Sequence, residues 1–296
     1  MQLVLILFLA ILLCYRVSAQ NTIPEKWYIA NPDAVELSGN ERVENLSTSL
    51  GTVNLRWPRA SETLFGRTPA RAVTEAVNAV ARTVKGGGWP TKVQTLNIDW
   101  SVIFMQEKDV ASQMPPYLLN DCHPGWFTPP GNIYIVAERV AAGCGRQRSS
   151  TSVADGVLAS VMVHEMGHAL EYYILGPAFG GDRMRAEGFA SWFERYAGRN
   201  TSMYNAREIA NRHQEAAKVS LQESPNVWTF RGSALDYARA SYAIEAVVRV
   251  RGISGLMEVY KRIRERRVEL ATAVKDEMSW SSIKYNEEIA RAINSR

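Results

Sequence analysis

The segment Val161–Leu170 constrains this chain more than any other. It sets His164, Glu165 and His168 in a His-Glu-x-x-His pattern within an otherwise apolar run. The flanks Val157–Val163 and Ala169-Leu170 carry almost no polar stripe, so the spacing predicts a buried helix. Residues four apart share one helix face, one turn along. His164 and His168 therefore aim two imidazoles at one spot, and Glu165 stands about 100° to the side. Three ionisable groups in a buried helix are costly without a strong partner. A divalent cation is such a partner, and the adjacent carboxylate suits the activation of water. The chain has four histidines, and this motif uses two of them.

A catalytic zinc site takes three protein ligands and leaves a position open. Downstream lies Glu187-Gly-Phe-Ala-Ser-Trp-Phe-Glu194. Gly176-Pro177 ends the first helix, since glycine past the last turn followed by proline stops helical growth. Helical spacing in the next helix puts Phe189, Phe193 and Tyr196 on one face and Glu187, Ser191 and Glu194 on another. The aromatic face is expected in the core, and the acidic face toward the histidine helix.

These motifs resemble the gluzincin superfamily of zinc metallopeptidases, which includes thermolysin-like endopeptidases and aminopeptidase-N-like enzymes. The His164-Glu165-x-x-His168 helix followed by Glu187-Gly-Phe-Ala and Glu194 is most similar to the aminopeptidase-N branch. The resemblance spans roughly residues 130–292. It implies a thermolysin-like zincin catalytic domain with zinc held by His164, His168 and Glu187. It also implies Glu165 as general base and Glu194 as the carboxylate that steadies a ligand imidazole through its other N–H. Tyr237, with Tyr242 as the alternative, resembles the family tyrosine that donates to the oxyanion. The strand Asn132–Val136 resembles the family's edge strand, which pairs with substrate backbone. No Gly-Ala-Met-Glu-Asn-like segment precedes the histidine helix, so the resemblance favours an endopeptidase-like or uncharacterised gluzincin over an aminopeptidase. The same residues also suit a hydrolase of non-peptide amides or esters, or a binding module that keeps zinc without hydrolysis.

Residues 1–19 read as a secretory signal: Leu3–Leu13 is apolar but too short to span a bilayer, and Val17-Ser-Ala19 precedes Gln20. The expected location is secreted or extracellular (periplasmic in a Gram-negative host), with no stable membrane anchor. Export would leave Cys122 and Cys144, and two cysteines in an oxidising compartment suggest one disulfide. Such a loop is worth on the order of 3 kcal/mol. The formal net charge of +4 argues for no nucleic-acid partner; a peptide or protein substrate is expected.

Along the chain, 20–60 is polar and irregular apart from a strand at Thr52–Trp57, and is read as an N-terminal segment or pro-segment ahead of a domain over 61–296. Thr68-Pro69 caps a helix running to Lys85, with Val73, Val77, Val80 and Val84 on its apolar face. Leu96 to Phe104 alternates and predicts a half-buried strand. Met105–Phe127 reads as a loop, and from residue 152 onward the pattern is helical. His213 is expected at the surface, and so is His123, with a place near the cleft through the disulfide as its alternative. The fold class is α+β: a small mixed sheet, then a mostly helical C-terminal half, with a cleft between.

Overall fold

A computed structural model describes residues 35–37, 39–65, 69–113, 123–142, 155–225 and 229–295. The signal segment 1–19, Cys122 and Cys144 lie outside the described residues. The class is α+β, as expected: a five-stranded mixed sheet, then a helical half.

The sheet holds β1 (Glu41–Thr48), β2 (Gly51–Pro58), β3 (Trp100–Met105), β4 (Gly125–Thr128) and β5 (Asn132–Val136), in the spatial order β1-β2-β3-β5-β4. β1 and β2 form an antiparallel hairpin, β2, β3 and β5 run parallel, and β4 returns antiparallel on β5. Four sequence expectations change here. Residue 60 is not a structural boundary, because β1 and β2 belong to the same sheet as the later strands. β3 is buried on both faces: Val102 and Phe104 enter the main core, while Ile103 and Met105 join Val35, Val110, Tyr134 and Val136 in a second cluster. That double burial is what a central parallel strand demands. The alternation at Leu96–Asp99 belongs to the approach to the strand, not to the strand itself. Asn132–Val136 is not an edge, since β3 and β4 flank it; among the described residues the edge on that side is β4, which begins inside the segment read as a loop.

Helix α1 (Ala70–Val84) buries Val73, Val77, Val80 and Val84, the predicted face. Short helices α2 (Glu107–Gln113) and α3 (Ala137–Ala142) flank the sheet. The helical half follows with α4 (Asp155–Leu175), α5 (Arg183–Ala197), α6 (Ala206–Glu223), α7 (Ala234–Arg266), α8 (Leu270–Met278) and α9 (Ser282–Asn294). α7 continues past Gly252, where φ of 68° breaks its helical geometry. Among the described residues, no helix is long and apolar enough to cross a membrane.

α5 threads between α4 and α7, and two glycines make room for it. A Cβ on Gly167 would stand 2.9 Å from the Ala190 Cα, and one on Gly188 would stand 2.7 Å from the Ala240 carbonyl oxygen. The start of α5 is also fixed. Asp182 caps it by accepting from the Arg185 N–H at 3.0 Å, and its other oxygen accepts from the Leu270 N–H at 2.9 Å. Behind this cap, the buried Arg185 donates to Glu171 at 3.0 Å, and Tyr260 donates to the same oxygen at 2.8 Å. One carboxylate thus ties α4, α5 and α7 together.

Candidate metal centre

α4 presents His164 and His168 on one face, with ring centroids 5.1 Å apart. α5 brings Glu187 opposite. The Glu187 Oε2 lies 3.6 Å from the His164 Nε2 and 3.5 Å from the His168 Nε2. One donor atom from each residue falls within 4.8 Å of the others. Tetrahedral zinc with bonds of about 2.0–2.1 Å sets its ligand atoms about 3.3–3.4 Å apart. The observed spacings match that requirement within a few tenths of an ångström, and two imidazoles with one carboxylate suit a borderline-soft ion. The donor set therefore fits zinc.

Electrostatics inside the centre are tightly coupled. Burial alone would lower the His164 pKa, but the Glu187 and Glu194 carboxylates outweigh it and lift the pKa well above its ordinary value. Burial would raise the Glu187 pKa; His168 and His164 reverse this and hold it well below the usual carboxylate range. Glu194 stands behind His164, its Oε2 3.6 Å from Nδ1. Its own position is set from two sides. Ser160 donates to its other carboxylate oxygen, and the Tyr204 hydroxyl donates to its backbone carbonyl at 2.8 Å.

Glu165 is 4% exposed, and its Oε2 has no hydrogen-bond partner. Burial is the main cause lifting its pKa above the ordinary value, against the neighbouring histidines. A buried, unpaired carboxylate oxygen costs free energy, so its retention calls for a reason. The edge strand passes beside it: a Cβ on Gly125 would lie 3.3 Å from the Glu165 Cγ.

Tyr237 sits in the first turn of α7, where its hydroxyl accepts from the Arg183 Nη2 at 3.2 Å. Burial and then the Glu187 charge push its phenol pKa up, so it keeps its proton. The alternative, Tyr242, lies under the Arg195 guanidinium, 4.5 Å from ring centroid to Cζ. The structure thus brings His164, Glu165, His168, Glu187, Glu194 and Tyr237 together, and leaves Tyr242 with Arg195.

Two histidines depart from expectation. His123 meets the Arg183 Nη2 at 3.3 Å through its Nε2, so it belongs to the rim of the centre and not to open surface. His213 turns inward: its Nδ1 is buried without a partner, and burial lowers its pKa to about 4, against the Glu194 charge. It shares a face of α6 with Ile209, Ala217 and Ser220, all three buried. Arg183, one turn before Glu187, was also missed; its i, i+4 relation to Glu187 is the signal that points to it.

No protein-family profile matches the chain, and no curated protein matches it. Among solved structures, it is similar to a two-domain M1 zinc metallopeptidase mutant bound to L-arginine, at 13% identity and a TM-score of 0.43. It is also similar to one bound to L-tryptophan, at 14% and 0.41. A third is an M1 zinc metallopeptidase mutant from Deinococcus radiodurans bound to a Tyr-Ser-Ala substrate, at 15% and 0.41. Each alignment covers 87% of this chain and 52% of the other, so the chain spans about half the length of those proteins.

Proposed function

We propose that the chain is a secreted zinc-dependent peptidase. The observation that carries this reading is the convergence of His164, His168 and Glu187 on one point beside a buried carboxylate with an unpartnered oxygen. The two imidazole Nε2 atoms and a Glu187 oxygen would hold the ion. When bound, zinc supplies Lewis acidity that polarises a carbonyl and makes water easier to deprotonate. Glu165 accepts the proton of the attacking water, then passes it to the leaving amine nitrogen. A carboxyl whose pKa is lifted by burial suits both halves of that transfer near neutral pH. Tyr237 donates its O–H to the oxyanion of the tetrahedral adduct. Glu194 holds His164 in register through Nδ1.

The edge strand β4 offers backbone N–H and C=O groups for an extended peptide, and Gly125 brings that edge against Glu165. Secretion rests on the apolar run Leu3–Leu13 and the small residues before Gln20. It carries with it a Cys122–Cys144 disulfide, which thiol labelling of the unreduced, denatured protein reads directly.

The test is Glu165→Gln with metal analysis and a peptide-library digest. Both proteins are expected to hold one zinc, and the variant to lose about 10²–10⁴-fold in turnover. Equal turnover removes Glu165 from the mechanism. A fully zinc-loaded wild type that cleaves esters or small amides but no peptide replaces the peptidase reading with a different hydrolase. One that cleaves nothing leaves a zinc-holding binding module.

A further inference from the structure

Arg183 opens α5 one turn before Glu187, so both side chains leave the same face of the helix. Its Nε lies 4.0 Å from the Glu187 Oε1, and its Nη2 donates to the Tyr237 hydroxyl at 3.2 Å and meets the His123 Nε2 at 3.3 Å. The guanidinium carbon is 5.8 Å from the Phe230 ring centroid. The loop carrying Phe230 is fixed in turn, because the Asp236 carboxylate accepts from the Arg231 and Ser233 N–H groups. It backs directly onto the arginine: a Cβ on Gly232 would stand 3.4 Å from Nη1. Helix α5, the segment entering β4, and the loop and first turn of α7 therefore all converge on one cation. Its side chain still keeps 31% of its surface open to solvent.

Charge gives this placement a meaning. Three carboxylates, Glu165, Glu187 and Glu194, line the centre. A bound divalent ion would compensate two of them, and Arg183 offsets the third from the solvent side. A protonated amine arriving on that side meets a like charge. A carboxylate arriving there meets a planar guanidinium already held in orientation, which is the geometry of a strong charge-assisted hydrogen bond. Arg185, two residues along, shows the alternative on the same helix. It is 2% exposed and donates to Glu171 at 3.0 Å, as an arginine with a structural role does.

We infer that Arg183 is a specificity-determining residue that selects peptides carrying a carboxylate next to the scissile bond. The inference rests on the peptidase reading above. The carboxylate can belong to an acidic side chain or to a free C-terminus, and the two are separable.

The test uses zinc-loaded Glu165→Gln protein, which binds without cleaving, and calorimetric titration of related peptides. These are an acetylated, amidated Ala-Ala-Phe-Ala-Ala pentapeptide, its free acid, and versions with Glu replacing each interior residue in turn. The free acid reports a terminal carboxylate, and the Glu series an acidic side chain. At least one carboxylate peptide is expected to bind about 10-fold more tightly than the neutral one. Adding Arg183→Gln should bring that ratio to about one, and Arg183→Lys should keep part of it. The ratio is taken within each protein, so a general loss of affinity does not mimic the effect. A ratio that Arg183→Gln leaves intact, or no carboxylate preference at all, overturns the inference. Wild-type digestion runs in parallel. Cleavage without acidic preference sinks this inference and spares the peptidase, whereas Arg183-dependent carboxylate binding with no cleavage sinks the peptidase and spares the selectivity.

Discussion

Two sets of arginine, glutamate and tyrosine share α5 and α7; the glutamate comes from α4 in one set and from α5 itself in the other. In one, Arg185, Glu171 and Tyr260 are sealed from water, with donor–acceptor distances of 3.0 and 2.8 Å. In the other, Arg183, Glu187 and Tyr237 are only partly buried, and the arginine stands 4.0 Å from the carboxylate. The residue types are the same, but the solvent differs. Where water is excluded, the carboxylate charge is spent on holding three helices. Where it is admitted, the arginine stands off and the carboxylate lies within 3.6 Å of both imidazoles.

The contrast is broken most directly by removing each arginine. Arg185→Ala strands a buried carboxylate and is expected to lower stability by about 3–5 kcal/mol. Arg183→Ala, at a partly solvated pair, is expected to cost no more than about 1 kcal/mol. Urea unfolding of both variants in the presence of chelator compares them, and equal losses would erase the distinction.

His213 sharpens it from behind, where it faces Glu194. Its folded pKa of about 4 lies below the unfolded value of about 6.5. The unfolded chain therefore binds the proton first as pH falls. Stability from this group is complete above about pH 6.5 and is lost progressively toward pH 4, by up to about 3 kcal/mol. Urea midpoints at pH 7 and 4.5 should differ less in His213→Gln than in the wild type; an unchanged difference would show that His213 is not held neutral.

The smallest expected effect concerns the ion alone. Glu194→Ala should weaken zinc binding about 10–100-fold in chelator competition, because His164 loses the partner at Nδ1. Glu171→Gln, on the sealed side, should leave zinc affinity of the folded protein where it was. If both substitutions weaken zinc alike, the two sets are not separate in function.

Most of the centre was legible because it is local. His164, His168, Glu187 and Glu194 are placed by turns of two consecutive helices, and helical spacing alone says which side chains share a face. Sheet order was not local. β4 is four residues long and precedes Pro129-Pro130, so nothing in its composition separates it from loop. That it shields β5 from the edge depends on pairing between strands, which no periodicity reports. His213 was hidden for another reason. Its neighbours Asn211, Arg212 and Gln214 make the stretch look solvated, while burial comes from the way α6 packs against α5 and α7. His123 was hidden by its company of Cys122, Pro124 and Gly125. Its role arises from Arg183, sixty residues away.

The near-contact of Gly167 with Ala190 works as a caliper. It sets how far apart the jaws bearing the imidazoles and the carboxylate stand, although neither residue donates an electron pair. A single methyl group added at 167 would stand 2.9 Å from the Ala190 Cα and force those jaws to shift. The spacing of the ligands is thus written in a residue that would never touch the ion.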